Sequence, residues 1–181
     1  MATIRTVVLV DDHANPLASA DRDAIHGTDT PLHLAFSCYL FDTHGRVLLS
    51  RRALSKKTWP GVWTNSFCGH PEWDEPMPAA IERHAAIELG VRVSAVRDLL
   101  PNFRYRAVDT QGMVENEICP VFAAVTNEAI DPNPVEVADW AWVAPAAMVA
   151  AMTATPQVFS PWAVLQVGQM SHMLERSGVA A

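Results

Sequence analysis

The stretch Gly69 to Val91, GHPEWDEPMPAAIERHAAIELGV, decides the fold. Its second part, Met77 to Leu89 (MPAAIERHAAIEL), is threaded with alanine, the strongest helix former. Gly90 stands where a helix ends on a left-handed residue, so a helix is predicted over 77–89. Outward from it the pattern changes to strand. Upstream, Thr6 to Val10 (TVVLV) reads as a β-branched strand and the polar, proline-containing segment after it as a loop. Leu34 to Phe41, the turn Asp42 to Gly45 (DTHG) and Arg46 to Arg52 read as a hairpin, and VWTNSF (Val62 to Phe67) as a short strand after the breaker Trp59-Pro60-Gly61. Downstream, strands are predicted at 93–96, 103–108, 114–125 and 137–143, and helices at 146–152 and 162–176. Strands on both sides of a helix imply an α/β fold, a mixed β-sheet flanked by helices.

The 181 residues fit one domain, and a composition half hydrophobic and 18% charged is that of a soluble globular chain. A net charge of -7 argues against a broad nucleic-acid surface, which needs clustered Lys and Arg. The apolar run in MATIRTVVLVDDHANP is too short to span a bilayer, and acidic residues follow it where a leader would have small ones. A cytoplasmic protein without a membrane partner is expected. Cys38, Cys68 and Cys119 form no CxxC pair and are odd in number, which does not suggest a disulfide framework. Cys38 and Cys119 lie in apolar runs and are expected to be buried. Cys68 has polar neighbours, in TNSFCGHPEW.

The chemistry collects first in VENEICP, Val114 to Pro120. Side chains alternate along a strand, so Glu115 and Glu117 point to one face. Alone, such a pair is a solvated edge strand. Here Val114, Ile118, Val121 and Phe122 suggest burial, and buried carboxylates need a cation or a shared proton. A metal would resolve the conflict. Candidate partners are His26 and His33, in AIHGTDTPLHLAFS, and His70, although their spacing matches no compact zinc motif.

From Gly69 onward the chain resembles the Nudix pattern GX5EX7REUXEEXGU: Gly69, Glu75, Arg83, Glu88 and Gly90 fall in register and Val91 fills the last aliphatic position. The resemblance implies a Nudix fold. His84 and Ile87 stand where a Nudix hydrolase carries glutamates. Diphosphate cleavage needs metal ions on the phosphate and on the attacking water, so the departures suggest a protein that binds a diphosphate without cutting it. Glu88 remains to hold Mg2+ on that diphosphate.

More specifically, AIHGTDTPLHLAFS, RRALSKKTWPGVWTNSFCGHP, NFRYRA, VENEICPVF and TPQVFSPW resemble the type I isopentenyl-diphosphate isomerases over nearly the whole chain. The resemblance implies one isomerase domain over 1–181, with residues 1–30 a strand and a segment covering the active site. It implies interconversion of isopentenyl and dimethylallyl diphosphates by adding one proton and removing another. His26, His33, His70, Glu115 and Glu117 are implied ligands of one divalent metal. Cys68 and Glu117 are the implied catalytic pair, with Tyr105 near Glu117 and Trp162 facing the reacting carbons. Glu88 and the Cys68 carbonyl are the implied holders of Mg2+, and Arg22, Arg52, Lys56 and Arg83 the implied diphosphate contacts.

A three-histidine, two-carboxylate set suits Zn, Mn or Fe by donor type. The cofactors expected are one divalent metal (Zn, Mn or Mg) in the His/Glu site and Mg2+ with the diphosphate. The expected partner is a small-molecule diphosphate, with no nucleic acid, and the assembly a monomer or weak dimer. Two readings compete with the isomerase: a Nudix diphosphate hydrolase with an altered box, and a non-catalytic metal-binding module.

Overall fold

Pro120 lacks a backbone N–H, and the strand predicted over 114–125 divides there into Val114–Ile118 and Val121–Val125. The first piece joins one sheet and the second piece another. The structure, a computed structural model, describes residues 6–176. In chain order these form β1 (Thr6–Val10), β2 (Pro16–Asp21), α1 (Arg22–Ile25), β3 (His33–Leu34), β4 (Phe36–Phe41) and β5 (Val47–Arg52). Then come β6 (Trp63–Thr64), β7 (Phe67–Gly69), α2 (Met77–Leu89), β8 (Ser94–Leu100), β9 (Arg104–Val108) and β10 (Val114–Ile118). β11 (Val121–Val125), β12 (Val137–Val143), α3 (Pro145–Ala154), a 3-10 turn at Pro156–Val158 and α4 (Pro161–Arg176) follow.

The expected mixed sheet is present as two. One runs β2-β1-β3-β10-β9 and the other β12-β5-β4-β11-β8, with β6 on β5 and β7 on β4. Both are mixed because 33–41 and 114–125 run parallel across the pair: β3 beside β10 in the first, β4 beside β11 in the second. At the corner, Ala35 N donates to Ile118 O at 2.9 Å and Ser37 N to Pro120 O at 3.1 Å, so pairing continues through the break. β2, read as loop from sequence, pairs antiparallel with β1. Five of its six residues are exposed, which leaves no apolar alternation to mark it.

All six residues of β4 are buried, because both faces are covered. Phe36, Cys38 and Leu40 pack with Ile81, Ala85 and Leu89 of α2. Tyr39 and Phe41 pack in a second cluster with Met148 and Met152 of α3 and Trp162 and Val167 of α4. Cys38 and Cys119 are buried free thiols, as their apolar runs suggested. Among the described residues, no helix is long and apolar enough to cross a membrane.

The predicted β4–β5 hairpin forms at its turn and then splays. Phe41 faces Val47, but farther from the turn β5 pairs with β6 (Ser50 with Thr64) and β4 with β7 (Ser37 with Cys68, Phe36 with Gly69). The buried Asn65 and Ser66 bridge the opening. Leu40 N donates to Ser66 Oγ, which donates to Leu48 O, both at 2.7 Å. Asn65 Nδ2 donates to Cys38 O and Phe67 O at 3.1 and 2.8 Å. Side chains thus replace ladder bonds that the splay removes, as buried backbone groups require.

α2 spans the residues predicted for it and ends on Gly90, whose φ of 68° is left-handed. A Cβ at Gly90 would lie 2.6 Å from Asp131 O. Gly90→Ala is therefore expected to destabilise the protein by at least about 1–2 kcal/mol, the left-handed penalty alone. Urea unfolding reads this directly, and an unchanged midpoint would show that the cap is dispensable.

Candidate active site

Register brings the ligand candidates together. Glu117 of β10 is the parallel partner of His33 and the antiparallel partner of Tyr105. Glu115 is two residues earlier on the same face. His26 ends α1 and is drawn toward β10 by the bond from Val114 N to Gly27 O, 2.8 Å. His70 follows β7 directly. Glu115 and Glu117 are 7% and 6% exposed, so the burial inferred from VENEICP holds.

The groups cluster closely. His26 Nε2 lies 3.2 Å from Glu115 Oε2, His33 Nε2 3.4 Å from Glu117 Oε1, and His70 Nε2 3.3 Å from the same Glu117 oxygen. The ligand atoms of His26, His33 and His70 lie within 4.8 Å of one another, and so do those of His33, Glu115 and Glu117. Backbone carbonyls set two tautomers: His26 Nδ1 meets Arg22 O at 2.6 Å and His33 Nδ1 meets Pro31 O at 2.9 Å. A carbonyl can only accept, so each Nδ1 carries the proton and each Nε2 is turned inward as a donor atom for a metal.

Burial opposes the charges in this nest. It works to lower His26 and His33, yet the contacts with Glu115 and Glu117 win and both imidazoles are raised above their usual value. It works to raise Glu117, yet His33 and His70 hold that carboxyl well below the usual range. His70 is pushed down to about 4, chiefly by burial. His33 Nε2 and Glu115 Oε2 are buried without a partner in hydrogen-bonding geometry. Orphaned buried atoms of this kind are costly unless something else meets them. The residues fit a divalent cation.

A cavity of about 320 Å³ opens from this nest. Cys68, Tyr105, Trp162, Glu115 and Glu117 line it, and so do Glu88, His84, Arg22, Arg52 and Lys56. Burial pushes the Cys68 thiol up to about 11. Burial and the charges of Glu117 and Glu115 raise Tyr105 well above its usual value, so it stays a phenol. Trp162 is 3% exposed, its ring centroid 5.7 Å from that of Tyr105 and 5.4 Å from that of Trp59.

The basic residues divide. Arg52 sits 5.3 Å over the Trp162 ring and donates to Thr58 O at 2.8 Å, while Thr58 Oγ1 donates to Glu115 Oε1 at 2.8 Å. Lys56 is ion-paired with the buried Glu136. Arg22 lines the cavity with its guanidinium 3.8 Å from Asp23. Arg83 is not among the lining residues: it binds Glu75 at 2.6 and 2.8 Å and His70 O at 3.0 Å.

The two Nudix departures have different surroundings. His84 faces the cavity, with Nδ1 2.9 Å from Glu88 Oε1, and its ring occupies the space over Gly69, where a Cβ would lie 2.5 Å from it. Ile87 is 44% exposed and does not line the cavity. Sequence reading passed over Thr58, Asn65, Ser37 and Glu136. The one available signal was the polar run Thr64-Asn65-Ser66 inside a strand-like segment, all of it buried.

Comparison with known proteins agrees with this geometry. The NUDIX domain model matches residues 31–163. A protein of Paenarthrobacter aurescens (strain TC1) named isopentenyl-diphosphate Delta-isomerase is 54% identical over 170 residues, covering 94% of this chain and 92% of its own. One of the same name from Citrobacter koseri is 51% identical over 160 residues, covering 88% of each. Among solved structures, a Deinococcus radiodurans protein superposes with a TM-score of 0.62 at 20% identity, over 83% of this chain and 90% of its own. A MutT protein from Methanosarcina mazei superposes at 0.61 and 15% identity, over 81% and 97%. These last two are similar in fold alone.

The raised values of His26 and His33 fix a sign. In the metal-free protein they hold protons more tightly than in the unfolded chain, so their stabilising contribution is full below about 6.5 and is lost as pH rises through the folded values. A metal must displace those protons. Titrating metal into the stripped protein near neutral pH is expected to release protons, seen calorimetrically as a heat that depends on the buffer's ionisation enthalpy, with release fading at higher pH. A buffer-independent heat would contradict the site. His33→Ala is expected to abolish stoichiometric metal retention.

Proposed function

As a member of the Nudix family, and within it of the isopentenyl-diphosphate Delta-isomerases, the chain is an isomerase, and we propose a mechanism in which Cys68 and Glu117 exchange protons with the five-carbon unit of the substrate. The reaction interconverts isopentenyl and dimethylallyl diphosphates. The terminal methylene of the alkene gains a proton, the positive charge falls on the tertiary carbon, and the neighbouring methylene loses a proton to complete the shifted double bond. The observation that carries the reading is that Cys68, from the seven-stranded sheet, and Glu117, from the five-stranded sheet, line one cavity with Trp162 and Tyr105.

A tertiary cation in that cavity needs stabilisation and dryness, within the barrier reduction of about 8–23 kcal/mol that enzymes supply. The face of Trp162 contributes about 2 kcal/mol by cation–π attraction when desolvated. The Trp59 and Tyr105 rings packed around it keep water, the competing nucleophile, from the cation. Cys68 is a neutral thiol at rest because burial raises it, which suits it to give a proton, and its role reverses with the direction of reaction. Tyr105, held as a phenol opposite Glu117, can donate a hydrogen bond to that carboxyl.

His26, His33, His70, Glu115 and Glu117 would hold one divalent metal, with Zn, Mn and Mg the candidates. When bound, such an ion supplies charge that makes the protonated form of the Glu117 carboxyl a stronger acid. Glu88 and the Cys68 carbonyl would hold Mg2+ with the diphosphate. Arg22, Arg52 and Lys56 meet the diphosphate oxygens through charge-assisted bonds. Arg83 acts behind them by fixing the His70 carbonyl. The segment that carries Arg22 and His26 closes one side of the site within a single isomerase domain over 1–181.

The metal-loaded protein is expected to convert isopentenyl diphosphate to dimethylallyl diphosphate without releasing phosphate. Release of inorganic phosphate or pyrophosphate from diphosphate compounds would favour a hydrolase instead. Cys68→Ala and Glu117→Gln are each expected to lower turnover about 100- to 10,000-fold, the span of proton-transfer catalysis. Melting temperature checks the fold of both, and metal content checks Glu117→Gln. Wild-type turnover in either variant removes that residue from the mechanism.

A further inference from the structure

Behind Cys68 lies a buried polar network that the proton transfers do not use. Asn65, Ser37 and Gln166 are all 0% exposed. The orientation of the Asn65 amide is set by partners that leave it no choice. Asn65 Nδ2 donates to the carbonyls of Cys38 and Phe67 at 3.1 and 2.8 Å, and carbonyls only accept. Asn65 Oδ1 is therefore turned the other way, where it receives Thr64 Oγ1 at 2.8 Å, Trp162 Nε1 at 3.1 Å and Cys68 Sγ at 3.3 Å. The indole N–H is a donor only, so this direction is also fixed.

The other side of the sulfur faces a hydroxyl. Tyr39 OH donates to Gln166 Oε1 at 3.0 Å, which leaves Gln166 Nε2 to donate to Ser37 Oγ at 2.9 Å. Ser37 Oγ lies 3.3 Å from Cys68 Sγ and 3.5 Å from Cys119 Sγ, contacts in which either atom can donate. Cys68 gives to Asn65 and has the Ser37 hydroxyl within reach. The thiol of β7 and the indole of α4 share one acceptor atom, on a residue between β6 and β7 that bridges the β4–β5 splay.

We propose that Asn65 is the positioning residue of the active site, its amide oxygen holding the Cys68 thiol and the Trp162 indole in one fixed arrangement. The proposal rests on the isomerase reading, and it names a residue that touches neither the reacting carbons nor the diphosphate. Its role follows from the demands of the reaction. The thiol must meet the alkene, and the indole face the cation, at the same site, and a misplacement of about 1 Å costs about 100-fold. A single rigid acceptor satisfies both.

The test is Asn65→Leu, of similar size and unable to accept, assayed as metal-loaded protein and observed by NMR with 15N-labelled tryptophan. The chain has six tryptophans, and Trp162→Phe identifies the Trp162 indole signal by its disappearance. Asn65→Leu is expected to shift that signal and to lower kcat about 100-fold while KM for isopentenyl diphosphate stays within about two-fold, because the diphosphate contacts are untouched. Trp162→Phe keeps an aromatic face and loses the shared N–H together with the second ring of the indole, and is expected to lower kcat about ten-fold, a part of the loss that misplacement causes. An unmoved indole signal, a wild-type kcat, or a kcat loss that merely tracks loss of folded protein in Asn65→Leu would overturn the proposal. Should Asn65→Leu fail to fold, wild-type kcat in Trp162→Phe overturns it. If the wild type does not isomerise isopentenyl diphosphate the isomerase reading fails, and the indole signal still decides whether Asn65 holds Trp162.

Discussion

Two carboxylates buried two residues apart on one strand face are the constraint around which the fold is arranged. Water no longer solvates Glu115 and Glu117, and each buried ion carries a penalty of several kcal/mol unless paired. The pairing comes from segments far apart in the chain: His26 after α1, His33 in β3 and His70 after β7. Folding around β10 therefore draws in the N-terminal segment, the parallel strand pair and the start of the Nudix loop together. The protein–protein contacts do not finish the work, since His33 Nε2 and Glu115 Oε2 remain without hydrogen-bonding partners. A divalent cation would meet both needs at once.

The second constraint is the splay between β4 and β5. Opening a strand pair in a buried sheet leaves backbone groups without partners, and Asn65 and Ser66 supply them. The gap admits β7, which sets Cys68 against Ser37 and puts Gly69 beneath the His84 ring. From there the chain passes His70 and enters α2, whose Glu88 faces the same cavity. The Nudix helix and the thiol are thus positioned by one local distortion. Where the Nudix pattern has carboxylates, His84 instead abuts Glu88 and Ile87 is exposed, which suits a site that retains a diphosphate.

The sequence made some of this legible and hid the rest for physical reasons. α2 could be read because alanine content and Gly90 are local signals, and the Glu115/Glu117 conflict because two charges among apolar neighbours on a strand have few explanations. The gathering of His26, His33 and His70 with those carboxylates followed only from resemblance, since register between distant strands is not written in spacing. β2 was missed because its residues are exposed, and the division at Cys119-Pro120 because the apolar run continues across it. Thr64, Asn65 and Ser66 looked like ordinary polar residues, for their burial depends on a splay decided by other strands. Arg83 fits the motif by position, yet its partners are Glu75 and the His70 carbonyl, outside the cavity lining.

In the proposed reaction one proton is delivered to, and another taken from, a carbon skeleton held between Cys68 and Glu117, beside a His/Glu cluster that could hold a metal. Isotope exchange reports that event directly. Incubated in deuterated water with isopentenyl diphosphate, the metal-loaded protein is predicted to place solvent deuterium in the methyl groups of the dimethylallyl diphosphate formed, and the chelated protein to place none. Product formed without deuterium, or equal exchange with the metal removed, would contradict the account.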